Sequence, residues 1–114
     1  PLNPLTAWIL DLDYRNGDWG VKYLFRGPKI EWGVILIKPG EKLGAHYHDE
    51  VEEHFLILEG NPTMIIDGED HACTPGQAWQ IEAPHKHSLV NRTEDPVKVV
   101  FIKAPYLPKD KTDC

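Results

Sequence analysis

Two histidines one residue apart, His46 and His48, are followed at once by Asp49, Glu50, Glu52 and Glu53. Imidazole nitrogens and carboxylate oxygens are the donors of a transition-metal site. In an extended strand, side chains at i and i+2 share a face. His46 and His48 therefore present both rings to one side, with Tyr47 turned to the other. Completed by a carboxylate from the next strand and a histidine from another, such a site suits Mn, Fe, Co, Ni, Cu or Zn. Ca and Mg prefer shells of oxygen. Spacing alone leaves two choices open. Parity groups Glu53 with Phe55 and Ile57, and Glu52 with His54, Leu56 and Leu58, and both faces are largely apolar. For the remaining ligand, His54, His71, His85 and His87 all stay available. His85, whose ring titrates near neutral pH, and Tyr47 are the candidate catalytic groups.

These residues need short strands to hold them. Ten prolines and nine glycines punctuate the chain, which favours many short elements over a few long helices. Strand-like blocks run over Trp32–Lys38, Leu43–His48, Glu53–Leu58, Thr63–Ile66, Ala78–Ile81, His87–Asn91 and Val97–Ala104. Pro39-Gly40, Gly60-Asn61-Pro62, Pro75-Gly76 and the hairpin signal Asp67-Gly68 separate them. Turn signals at this spacing predict an all-β chain, an antiparallel sandwich or barrel. Nearer the N-terminus, Trp8-Ile9-Leu10 and Val21–Phe25 read as outer strands, and the final YLPKDKTDC reads as a frayed tail. At strand positions Trp32, Phe55 and Trp79 read as barrel core more readily than as pocket walls.

With 114 residues the chain fits one domain. Its parts divide into N-terminal strands over 1–30, a barrel over 31–105 and a tail over 106–114. The net charge of −6, without a basic patch, argues against a nucleic-acid partner. No apolar run approaches membrane-spanning length, and the N-terminal PLNPLTAWILDLDY lacks the basic, then apolar, pattern of a signal peptide. A cytoplasmic location without membrane attachment is the expectation. Cys73 and Cys114 do not form a disulfide framework, and neither has a neighbour that would activate a thiolate.

The sequence resembles the cupin superfamily. The first cupin motif is a Gly, five residues, His-x-His, three or four residues, Glu, six residues and Gly. Gly40-EKLGA-His46-Tyr-His48-DEVE-Glu53-HFLILE-Gly60 fits it at every fixed position. The second, Pro-x-Gly, two residues, His, three residues and Asn, is matched in part by EAPHKHSLVN. There Glu82 stands at the family's Pro and Pro84 at its Gly, while His87 and Asn91 keep the ligand and Asn positions.

The resemblance implies a single cupin-type antiparallel β-barrel, a jelly roll or double-stranded β-helix. It implies one divalent transition metal held by His46, His48, Glu53 and His87, and a small-molecule ligand or substrate. Three neutral imidazoles and one carboxylate around such an ion leave a formal charge of +1 and two adjacent positions open. Lewis-acid chemistry on a chelating oxygen compound would follow, or dioxygenation with iron. The superfamily also contains non-catalytic sugar- and carboxylate-binding modules, so an enzyme is the first expectation and a binding module the second. Small cupins commonly form homodimers, and the apolar Trp8-Ile9-Leu10 would suit a dimer contact.

Overall fold

The structure, a computed structural model, describes residues 6–114. Ten strands follow one another: β1 (Gly20–Arg26), β2 (Glu31–Ile37), β3 (Lys42–Tyr47), β4 (Glu52–Glu59), β5 (Thr63–Ile66), β6 (Glu69–Ala72), β7 (Ala78–Ile81), β8 (His87–Val90), β9 (Val97–Ala104) and β10 (Thr112–Asp113). They form two five-stranded sheets, ordered β1-β2-β9-β4-β7 and β10-β3-β8-β5-β6. Every strand pair is antiparallel.

The turn chemistry works as the sequence requires. β5 and β6 pair Ile66 with Glu69 across the two-residue loop Asp67-Gly68, whose φ values are 50° and 84°. Left-handed conformation at both loop residues matches the twist of a hairpin, and Asp and Gly tolerate it. Gly60 closes the first motif for a steric reason. Its φ is +81°, and a Cβ there would stand 2.6 Å from the Pro96 carbonyl oxygen.

Parity sets the interior. On β4, Glu53, Phe55 and Ile57 are buried, while Leu56 and Leu58 are 40% and 43% exposed. Ile35, Ile37, Phe55, Ile57, Met64, Ile81, Leu89, Val97, Val99 and Phe101 form one apolar cluster between the sheets. Removing that surface from water supplies the main driving force for closure. Phe55 belongs to this core and the half-buried Trp79 packs against it, as expected; Trp32 instead stacks on Phe25, with ring centroids 6.2 Å apart.

Two N- and C-terminal expectations need correction. Trp8-Ile9-Leu10 is not an outer strand: Ile9–Asp11 forms a short 3-10 helix. The Lys22 ammonium donates to the Ile9 carbonyl (2.8 Å) and sits over the Tyr14 ring, so the segment is anchored by polar contacts, not by a ladder. Trp8 and Leu10 remain 76% and 91% exposed. Nor is the C-terminal segment frayed. β10 pairs Thr112 with Tyr47 and Asp113 with His46, and Asp110 is bound into the loop after β3. Its polar composition hides this role, because the segment is fixed by main-chain groups and one carboxylate and not by apolar burial. Cys73 is a buried free thiol and Cys114 an exposed one.

Candidate metal centre

The antiparallel register of β3 and β8 sets His46 directly opposite His87. His48 lies one residue beyond the end of β3, and Glu53 reaches across from β4 in the other sheet. Glu53, His48 and His87 are each 3% exposed and His46 9%. One ligand atom from each of the four lies within 4.8 Å of the others. The Nε2 atoms of His87, His48 and His46 stand 2.9, 3.2 and 3.4 Å from the same Glu53 oxygen, Oε1.

The outer nitrogens decide what the inner ones offer. His46 Nδ1 donates to the Gly44 carbonyl (3.1 Å), His87 Nδ1 to the His85 carbonyl (3.0 Å) and His48 Nδ1 to the Asp110 carbonyl. A carbonyl only accepts, so each Nδ1 carries the ring proton, and a neutral ring turns a bare Nε2 lone pair inward. Three lone pairs then face a carboxylate oxygen in a buried site. Protonating all three would set three imidazolium ions against one carboxylate. A single divalent cation satisfies all four donors at once. Three imidazoles with ring orientation fixed by main-chain acceptors, plus one carboxylate, fit a transition metal in donor type and in outer support.

Electrostatics keep the carboxylate ionised. Burial alone would raise the Glu53 carboxyl, but without a cation an imidazole whose Nε2 carries a proton donates to it, and such donors with Lys103 hold it well below the ordinary carboxylate range. Burial likewise pulls His48 down, while the Glu53 carboxylate and the Asp110 carbonyl leave it raised above 6.5. Asp110 also supports the loop. Its carboxylate accepts the backbone N–H groups of Asp49, Glu50 and Val51 at 2.8, 2.9 and 2.9 Å, which holds it below 3.8 despite its burial.

Parity alone could not choose Glu53 over Glu52; the fold does, by turning Glu52 outward to His54. His71 is half-buried against Trp79, with ring centroids 5.7 Å apart, away from the cluster. The two catalytic candidates are not brought to it. The His85 ring is exposed and pairs with Asp67 (2.6 Å), so only its carbonyl serves the site. Tyr47 lies on the opposite side of β3 from the histidines. Asn91, the last position of the second motif, is fully buried and structural: its amide donates to the Ile37 and Asp95 carbonyls, and its oxygen accepts from Thr93.

Sequence reasoning overlooked a row of charges inside the barrel. Glu31, Lys103 and Glu53 are direct neighbours across β2, β9 and β4. Arg26 donates to Glu31 (2.9 Å), and Lys103 donates to the Tyr23 hydroxyl (3.1 Å) while standing 3.9 Å from Glu31. The signal was available. Val97, Val99, Phe101 and Lys103 share one parity, so the apolar series of β9 ends in an inward lysine.

Comparison with known proteins agrees with this geometry. The cupin domain model matches residues 33–103, more than half of the chain, and the protein belongs to the cupin family. Polyketide synthase CurC of Streptomyces cyaneus is 30% identical over 77 residues, which cover 68% of this chain and 50% of CurC. The chain thus spans about half the length of that relative. Among solved structures, an uncharacterized double-stranded β-helix protein from Klebsiella pneumoniae superimposes with a TM-score of 0.84 over 98% of both chains at 12% identity. A sugar phosphate isomerase from Silicibacter pomeroyi gives 0.66, covering 82% of this chain and 71% of its own at 24% identity. These two likenesses establish the double-stranded β-helix fold. Among the described residues no helix is long and apolar enough to cross a membrane.

Proposed function

We propose that this cupin is a metal-dependent enzyme acting on a small oxygen-rich molecule, with His46, His48, Glu53 and His87 as the ligands of one Mn, Fe, Ni, Cu or Zn ion. The observation that carries the reading is the convergence of three Nε2 atoms on one Glu53 oxygen, with every Nδ1 tied to a main-chain carbonyl. When bound, the metal would supply Lewis acidity toward a substrate oxygen, or O₂ chemistry if it is iron. The chain's own residues hold the rings at fixed tautomers, keep Glu53 ionised and wall the site with Phe55 and Leu89. Lys103, which donates to the Tyr23 hydroxyl and stands 3.9 Å from Glu31, places an ammonium in the wall of the same cavity. The relative's name, a polyketide synthase, is in keeping with an oxygen-bearing carbon substrate.

The second reading is a binding module that holds a small carboxylate or sugar without turnover. It is favoured by the exposure of His85, which leaves the cluster without a histidine base beside it. Metal-loaded protein incubated in D₂O with simple 2-hydroxy and 2-oxo acids separates the two. Deuterium exchange beside the carbonyl, or O₂ uptake with the iron form, supports an enzyme. Ligand-dependent stabilisation with neither reaction would put the binding module in its place.

We further propose a homodimer. The exposed Leu56, Leu58 and Ile102 lie together on the outer face of β4 and β9, and Trp8 and Leu10 offer a second apolar surface. Light scattering that returns a monomer mass would end this proposal. The two free thiols suit a reducing compartment, which is in keeping with the cytoplasm.

A further inference from the structure

Two small cavities meet the histidine cluster, one of about 70 Å³ walled by His46, Glu53 and His87, the other of about 110 Å³ walled by His48. They share Arg15, Lys103 and Lys111. A water molecule takes roughly 30 Å³ of liquid, so the space admits the polar head of a small molecule and not a bulky body. In a protein of net charge −6, this concentration of cations runs against the average.

The acids in the same walls are already engaged. Glu31 accepts from Arg26 and lies beside Lys103. The Asp110 carboxylate takes three backbone N–H groups, and Glu53 faces the imidazoles. The cations are less completely matched. Among the described residues the Arg15 guanidinium has no ion pair, and Lys111 has only a 3.5 Å contact with the exposed Asp113. Lys103 has used one of its three N–H groups on Tyr23. These three come from separate parts of the chain, the segment before β1, the end of β9 and the segment before β10, and the fold gathers them at one opening.

We infer that Arg15 and Lys111, backed by Lys103, form an anion subsite beside the histidine cluster, and that the substrate is a small acid bearing a carboxylate separate from the oxygens presented to the metal. Arg15 supplies a planar fork that matches a carboxylate in two places. Lys111 adds a point charge, and the partly desolvated Lys103 sets how deep the anion enters. A guanidinium left open at the mouth also draws anions in from solution, an effect that weakens with salt. A neutral sugar gains nothing from this wall.

The inference rests on the metal reading, and one experiment tells their failures apart. Glycolate and malate share a 2-hydroxycarboxylate, and only malate carries a second carboxylate. Both are titrated into Co(II)-loaded protein, followed by the visible cobalt absorption, with bound cobalt measured in the same samples. The expected result is malate binding at least about 10-fold more tightly than glycolate, the free-energy equivalent of one modest charge-assisted contact. In the Arg15→Gln/Lys111→Gln variant that preference falls to within about 2-fold, while glycolate affinity and cobalt content stay as in the wild type. Both positions are exposed, so the variant keeps its fold. Equal binding of the two acids by the cobalt-loaded wild type, or a preference that survives in the variant, overturns the subsite and leaves the metal centre standing. A wild type that takes up no cobalt, and none of Mn, Fe, Ni, Cu or Zn offered in its place, overturns the metal reading and this inference with it.

Discussion

The inward faces of β2, β4 and β9 carry opposite chemistries at their two ends. At one end stand Ile37, Ile57, Val97 and Val99, none with measurable exposure. At the other, on the same strands and at the same parity, stand Glu31, Glu53 and Lys103, with both carboxylates only 3% exposed. Burial is nearly equal; what satisfies the buried groups is not. The apolar end is held by surface removed from water, which is non-directional and forgiving of shape-conserving change. The charged end stands only because each group meets a counter-charge or a donor aimed at it. One barrel thus keeps its stability and its chemistry in different places along the same strands.

Breaking the apolar end gives the largest effect. Ile57→Ala is expected to cost about 2–5 kcal/mol in urea unfolding of the metal-free protein, with metal uptake per folded chain unchanged. Loss of uptake alongside the stability would show that the two ends are not independent. Loading the charged end comes next. At free metal a thousandfold above its dissociation constant, binding adds roughly 4 kcal/mol, seen as a higher melting temperature in wild type and absent in His48→Ala.

How much of this contrast was legible in the sequence follows from the same physics. The strands over Thr63–Ile66, Ala78–Ile81 and Val97–Ala104 form as read, because alternating apolar residues between Gly and Pro turns leave few other solutions. Spacing alone put His46 and His48 on one face of a strand; Glu53 and His87 joined them only through the resemblance to the cupin motifs. Glu53 over Glu52 needed the second sheet, which decides which face of β4 is covered. The short strand β6 was missed: its residues, Glu69-Asp70-His71-Ala72, carry no β-forming signal and are paired through the hairpin to β5 alone. Asp110 went unread for a related reason: it sits in a segment whose composition says solvent, and only the pairing of β10 with β3 brings it to the site. Lys103 differs, since the parity of β9 already turned it inward.

A smaller effect sharpens the boundary between the two ends. Asp110→Ala removes the acceptor for three backbone N–H groups and is expected to cost about 2 kcal/mol. The folded carboxyl lies below 3.8, so its contribution is whole above that value and fades as pH falls through the depressed one. Wild type and variant should therefore differ fully near neutral pH and converge in strong acid; a gap that persists in acid would point to lost packing instead. The smallest effect belongs to His85→Ala. With its ring exposed and paired to Asp67, neither melting temperature nor metal uptake is expected to change. A fall in metal uptake would return the ring to the site.

The most direct test of the centre is elemental analysis of untagged wild-type protein purified without chelators, with His48→Ala beside it. Near-stoichiometric Mn, Fe, Ni, Cu or Zn in the wild type, lost in the variant, is the result the convergent Nε2 atoms predict. A wild type that holds no metal even after reloading would contradict it.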